Sequence, residues 1–135
     1  MQTRRVLLYI VLIAVGFVAG FSANSWLSSR GFEEAAKANL YLSGESLRKN
    51  DPVGAMGYAQ SARCNAPNAY DPYEAIGDIY VKLGNPKAAR KMYEAAIGRL
   101  ASGDRDSMPF TKGVVSAEDA TKLVKQKVEA LPPGA

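Results

Sequence analysis

Two helix-start signals recur in this chain 34 residues apart: Asn50-Asp51-Pro52-Val53-Gly54-Ala55 and Gly84-Asn85-Pro86-Lys87-Ala88-Ala89. In each, a residue that tolerates positive φ ends one helix, a short polar side chain caps the next, and proline takes the first helical position, where its missing N–H costs nothing. Asn50 and Gly84 are the enders, and Asp51 and Asn85 the caps. Asp71-Pro72 supplies a third start, opening the helix that closes at Gly84. A chain punctuated in this way is expected to be all-α and built of helical hairpins with tight turns.

The residues between the signals share the interval. Tyr73-x-x-Ile76-Gly77-x-x-Tyr80 is followed by Ala89-x-x-x-Tyr93-x-x-Ala96, and one interval earlier Ala55, Ala59 and Ala62 occupy the matching second-helix positions and Pro67 the closing-proline position. Small residues at Gly77, Ala89 and Ala96 let paired helices approach, and Tyr80 and Tyr93 fill the gaps beside them. The pattern resembles the tetratricopeptide repeat, a 34-residue helical hairpin with large, small and aromatic residues at fixed offsets. The resemblance covers roughly residues 36–100. It is weakest in the first helix of the first hairpin, where Leu42 and Leu47 suit the pattern but Ser43 and Ser46 replace its small and aromatic residues.

Two flanks complete the expected organisation. No charge lies between Arg5 and Arg30, and the stretch Val6 to Leu27 would span about 33 Å as a helix, which matches a bilayer core. Its apolar run outlasts that of a cleaved signal peptide and continues to Trp26, a residue suited to the membrane interface. Residues 1–30 therefore read as a transmembrane signal anchor. Arg4 and Arg5 ahead of it, against Arg30 offset by Glu33 and Glu34 behind it, favour an inside N-terminus, which in a bacterium puts the rest in the periplasm. Gly16 and Gly20 form a GxxxG pair through which a neighbouring transmembrane helix could approach.

After the hairpins of residues 31–100, residues 101–115 read as a loop, since Pro109 would interrupt a further first helix. Ser116 then caps a helix with an acidic first turn that runs to about Leu131, where Pro132 and Pro133 stop it. Its apolar face of Ala120, Leu123, Val124, Val128 and Leu131 is expected to cover the exposed end of the second hairpin, with Lys122, Lys125 and Lys127 elsewhere.

Composition narrows the function. With no histidine and one cysteine among 135 residues, imidazole-dependent zinc, haem and triad chemistry and CxxC motifs are all absent, so neither an enzyme, a metal nor a cofactor is expected. The net charge of +4 is dispersed, which argues against nucleic acid as a partner, and no small-molecule substrate is implied. Cys64, near the end of a second helix, reads as a buried packing residue.

The family resemblance implies protein–protein binding. Its first helices line a concave face, which by position would hold Lys37, Leu40, Gly44, Leu47 and Arg48 from the first hairpin. The second would supply Asp71, Glu74, Asp78, Val81 and Lys82. Leu40 and Gly44 stand where carboxylate-clamping members carry lysine and asparagine, so that activity is not implied. Asp71, Glu74 and Asp78 form an acidic stripe at near-helical spacing, a pattern that usually marks a solvated face. Two hairpins bury their faces only against neighbours, and three or more are usually needed for stability, so a stable partner is expected. The leading reading is a single-pass, membrane-anchored scaffold or accessory subunit, contacting other membrane protein subunits and lipid. It is similar to small bacterial repeat proteins attending translocation, outer-membrane assembly or cytochrome maturation. The alternative is a transient chaperone-like or targeting receptor whose groove captures peptide segments.

Overall fold

The computed structural model describes residues 31–102 and 115–133. The described residues form five α-helices and no strands: α1 (residues 31–48), α2 (Pro52–Asn65), α3 (Asp71–Lys82), α4 (Pro86–Ala101) and α5 (Ala117–Glu129). Among them no helix is long and apolar enough to cross a membrane. The apolar segment 6–27, with Gly16 and Gly20, and all but the ends of the 101–115 loop lie outside the described residues. From Glu33 onward the described residues belong to one compact unit.

The two tight turns are built alike. Asn50 and Gly84 sit at φ 62° and 69°, the left-handed region that lets a helix end abruptly. In the first turn Asp51 N–H donates to the Ser46 carbonyl (2.9 Å) and Asn50 N–H to Leu47 (3.1 Å). In the second, Asn85 N–H donates to Tyr80 (2.9 Å) and Gly84 N–H to Val81 (3.0 Å), so both close the same Schellman pattern. The Asp51 carboxylate then accepts from Gly54 N–H at 2.9 Å and the Asn85 side chain from Ala88 N–H at 3.1 Å, capping α2 and α4 ahead of Pro52 and Pro86. The third start differs from expectation. Asp71 is the first residue inside α3 rather than its cap, because the helix takes its first hydrogen bonds from the carbonyl of buried Tyr70, which caps it without a side-chain bond.

Packing follows the small residues. Ala55, Ala59 and Ala62 of α2 and Ala89 and Ala96 of α4 are fully buried. Ile76 and Ile79 of α3 lie on Ala55 and Ala59, with Leu47, Met56 and Met92 around them. One step along, Ala120 and Val124 of α5 join Ala89, Tyr93, Ala96 and Leu100. At Gly77 an added Cβ would stand 2.6 Å from Cδ1 of Tyr93, so only glycine lets α4 lay that ring on α3. Thirty-four residues earlier Ser43 is the counterpart of Gly77. It is 2% exposed, and its hydroxyl donates to the Ala55 carbonyl at 2.9 Å, so it satisfies the small-residue requirement with its polar atom paired. At the opposite edge Tyr73 pins the α2–α3 turn. Its hydroxyl donates to the Pro67 carbonyl (2.9 Å), while the Arg99 guanidinium lies 5.3 Å from its ring centre and donates to Asn68 (3.2 Å).

Ser116 caps α5 as expected, accepting from Asp119 N–H at 3.1 Å, and α5 ends at Glu129, two residues before Leu131. Two expectations are corrected. Leu123 is 49% exposed, because α5 turns only Ala120 and Val124 fully inward, with Val128 beside them and Leu131 joining the core after the helix ends. Lys127, off that apolar face, reaches back onto α3. Cys64 is exposed, since Ala55, Ala59 and Ala62 define the inward face of α2 and Cys64 lies off it.

Gly77→Ala is expected to lower unfolding free energy by about 1–3 kcal/mol through overpacking against Tyr93, despite alanine's better helix propensity. Urea denaturation followed by circular dichroism measures this, and an unchanged midpoint would contradict the close α3–α4 approach.

Candidate functional site: a groove between α1 and α3

A groove of about 450 Å³ runs between α1 and α3. Its α1 wall is Lys37, Leu40, Tyr41, Ser43, Gly44 and Leu47, and its α3 wall is Asp71, Glu74, Ala75 and Asp78. Seven of the residues expected on the concave face are thus brought together: Lys37, Leu40, Gly44, Leu47, Asp71, Glu74 and Asp78. Arg48 and Lys82 are exposed and do not line it, and Arg48 instead pairs with Glu45 at 2.9 Å on its own helix. Tyr41, Ser43 and Ala75 join them in the lining beyond the expected face. The 34-residue register contained the signal for two of them, because Tyr41 and Ala75 are counterparts one interval apart.

The two walls differ in chemistry. On α1, Leu40, Leu47 and an exposed Tyr41 flank Gly44, where an added Cβ would meet nothing within 4 Å. Lys37 stands at one end, held by Glu34 (2.9 Å) and Glu33 (3.3 Å). On α3 the acidic stripe is not the solvated face its spacing suggested. Asp71 and Glu74 are each 3% exposed, and α5 supplies a counter-ion. The Lys127 ammonium lies 2.9 Å from Glu74 Oε1 and 2.6 and 2.7 Å from the Asp78 oxygens. Tyr93 adds a hydroxyl that donates to Asp78 Oδ1 at 2.8 Å, and the Lys127 ammonium sits 5.7 Å from the centre of its ring. Buried carboxylates need such partners, since an uncompensated charge removed from water costs several kcal/mol.

These contacts move proton affinities in one direction. Burial disfavours the Lys127 ammonium, but Asp78 and Glu74 outweigh it and hold its proton more tightly than an ordinary lysine does. Burial, reinforced by the Asp71 and Glu74 carboxylates, pushes the Tyr70 phenol well above the usual tyrosine range. Tyr93 is pushed up likewise by burial and by its hydrogen bond to Asp78.

A wider hollow of about 700 Å³ lies along α5, lined by Leu100, Thr121, Lys125 and Gln126 among others. It defines no site. Among the described residues no group of His, Cys, Asp and Glu could hold a metal ion. Comparison with known protein families, curated proteins and solved structures gives no match.

Tyr70, Tyr93 and Lys127 each bind a proton more tightly folded than unfolded. Their contribution is complete below the unfolded values of 10.0 for tyrosine and 10.5 for lysine and is lost as pH rises through the folded values. Thermal melts between pH 7 and 11.5 are expected to show stability falling above about pH 10, with Tyr70 and Tyr93 ionising only on unfolding. A melting temperature that rises over that range would contradict the assigned contacts.

Proposed function

We propose that the chain is a membrane-anchored, tetratricopeptide-like scaffold serving as an accessory or assembly subunit of a membrane protein complex. The observation that carries this reading is an unfinished edge. Ile76 (2% exposed), Ile79 (fully buried) and Met92 seat the second hairpin on the first. Their counterparts 34 residues earlier are Leu42, Glu45 and Tyr58, and Leu42 and Tyr58 are 41% and 39% exposed. Burying Ile76 and Ile79 contributes about 1.5–3 kcal/mol each, and α1 has no matching gain among the described residues. A partner subunit laid along the α1–α2 edge would supply it. The apolar segment 6–27 supports attachment to the inner membrane, and the Arg4-Arg5 flank supports a periplasmic domain. The groove supports a second reading, a transient receptor that captures peptide segments.

Purification in mild detergent is expected to return stoichiometric companions, and the double variant Leu42→Asp, Tyr58→Asp to lose them while keeping its helical circular dichroism. A companion-free monomer would defeat the subunit reading. Exposed Cys64 tests the topology: a membrane-impermeant maleimide that labels it in intact spheroplasts agrees with a periplasmic domain, and labelling only after lysis reverses the orientation.

A further inference from the structure

We infer that Arg63 and Arg99, which share the Tyr73 ring beside the α2–α3 turn, form a binding site for a phosphate group. It goes beyond the scaffold reading and uses neither the α1–α3 groove nor the edge marked by Leu42 and Tyr58.

Three helix ends bring the residues together. Arg63 lies in the last turn of α2, Arg99 in the last turn of α4 and Tyr73 in the first turn of α3. The Arg63 guanidinium carbon stands 6.0 Å from the centre of the Tyr73 ring and that of Arg99 5.3 Å, so one ring gathers two cations. Both arginines are half-buried. The half-buried lysines of the fold are each matched with carboxylates, Lys37 with Glu33 and Glu34 and Lys127 with Glu74 and Asp78. Among the described residues no carboxylate pairs with Arg63 or Arg99. The C-terminal ends of α2 and α4 offset part of the charge, at about half a unit each, which leaves the arginine pair with about one positive charge to be met from outside.

The donors that would meet an anion are unspent. Arg99 uses two N–H groups, one on the Asn68 side-chain oxygen and one on the Tyr73 hydroxyl, each at 3.2 Å. The Tyr73 hydroxyl in turn donates to the Pro67 carbonyl at 2.9 Å, so Tyr73 and Asn68 are positioning residues that aim the Arg99 fork. The remaining N–H groups of Arg99, and all those of Arg63, make no hydrogen bond among the described residues. Two planar forks approaching from separate helices suit a tetrahedral phosphate, whose oxygens face several directions, better than a flat carboxylate. A free phosphate ion and the headgroup of an anionic phospholipid carry this chemistry alike.

The test follows the arginine Nε–H signals of the full chain in neutral detergent by nuclear magnetic resonance. Inorganic phosphate is expected to move the Arg63 and Arg99 signals along a saturating curve in the millimolar range, and sodium chloride of equal ionic strength to move them at least fivefold less. Arg63→Gln should weaken phosphate binding at least fivefold, and Arg63→Lys, which keeps the charge and loses the fork, several-fold. Because Arg63 makes no hydrogen bond among the described residues, both variants should keep their helical circular dichroism. Nanodiscs of phosphatidylcholine with and without phosphatidylglycerol identify the source. A headgroup ligand shifts the same two signals in the phosphatidylglycerol discs without added phosphate, whereas a free-phosphate ligand leaves them where the neutral discs put them. Signals that follow chloride as closely as phosphate and ignore phosphatidylglycerol, or binding undiminished in Arg63→Gln, would overturn the inference. Neither outcome bears on companions held at Leu42 and Tyr58, so failure here is distinguishable from failure of the subunit reading.

Discussion

Tyr93 is where three helices meet, and the rest of the array depends on how it is held. Its ring lies against Gly77 of α3, its hydroxyl donates to Asp78, and Lys127 of α5 covers the ring while binding the same carboxylate. Each contact requires the others. A side chain at residue 77 would lift the ring, a lifted ring would withdraw the hydroxyl from Asp78, and Lys127 would lose one face of its cradle. Glu74, almost wholly buried, would then lack a correctly placed counter-ion. Replacing such an ion pair by apolar groups can be neutral, but removing one member is costly, so the cluster specifies how α5 sits as well as how firmly.

The same logic passes along the chain from hairpin to hairpin. The alanines of α2 receive Ile76 and Ile79, and the alanines of α4 receive Ala120 and Val124. Each first-position helix is thus seated on the hairpin before it. Among the described residues α1 has no such seat, and Leu42 and Tyr58 stay exposed where their counterparts are covered. The groove is a by-product of this stacking, because α1 and α3 lie side by side with small residues, Gly44 and Ala75, between them. Stability and binding are therefore linked: whatever braces α1 also fixes one wall of the groove.

The turns were legible in the sequence because their chemistry is local. Asn50 and Gly84 adopt positive φ, and Asp51 and Asn85 cap, for reasons contained within six residues. The crossing at Gly77 was legible for a related reason, since a repeating interval fixes which positions face each other. What escaped depends on distance or on weak patterning. Lys127 lies 49 residues from Asp78, and no periodicity within α5 announces that it faces a carboxylate rather than water. Cys64, at the end of α2 where a small packing residue is expected, is exposed, and α2, small and uncharged on most sides, gives little indication of which face is buried. Ser43 looked like a departure from the repeat, yet it is small, and a hydroxyl bonded to a carbonyl serves at a crossing nearly as well as glycine.

That α3 and α5 are each held by the hairpin before them, and that α1 finds no such support among the described residues, is tested most directly by amide hydrogen exchange on the full chain purified alone in mild detergent. Exchange is expected to be slowest in α3 and α4, around Ile79, Tyr93 and Ala96, and faster by orders of magnitude in α1. Protection of α1 equal to that of α3 in the isolated protein would contradict it.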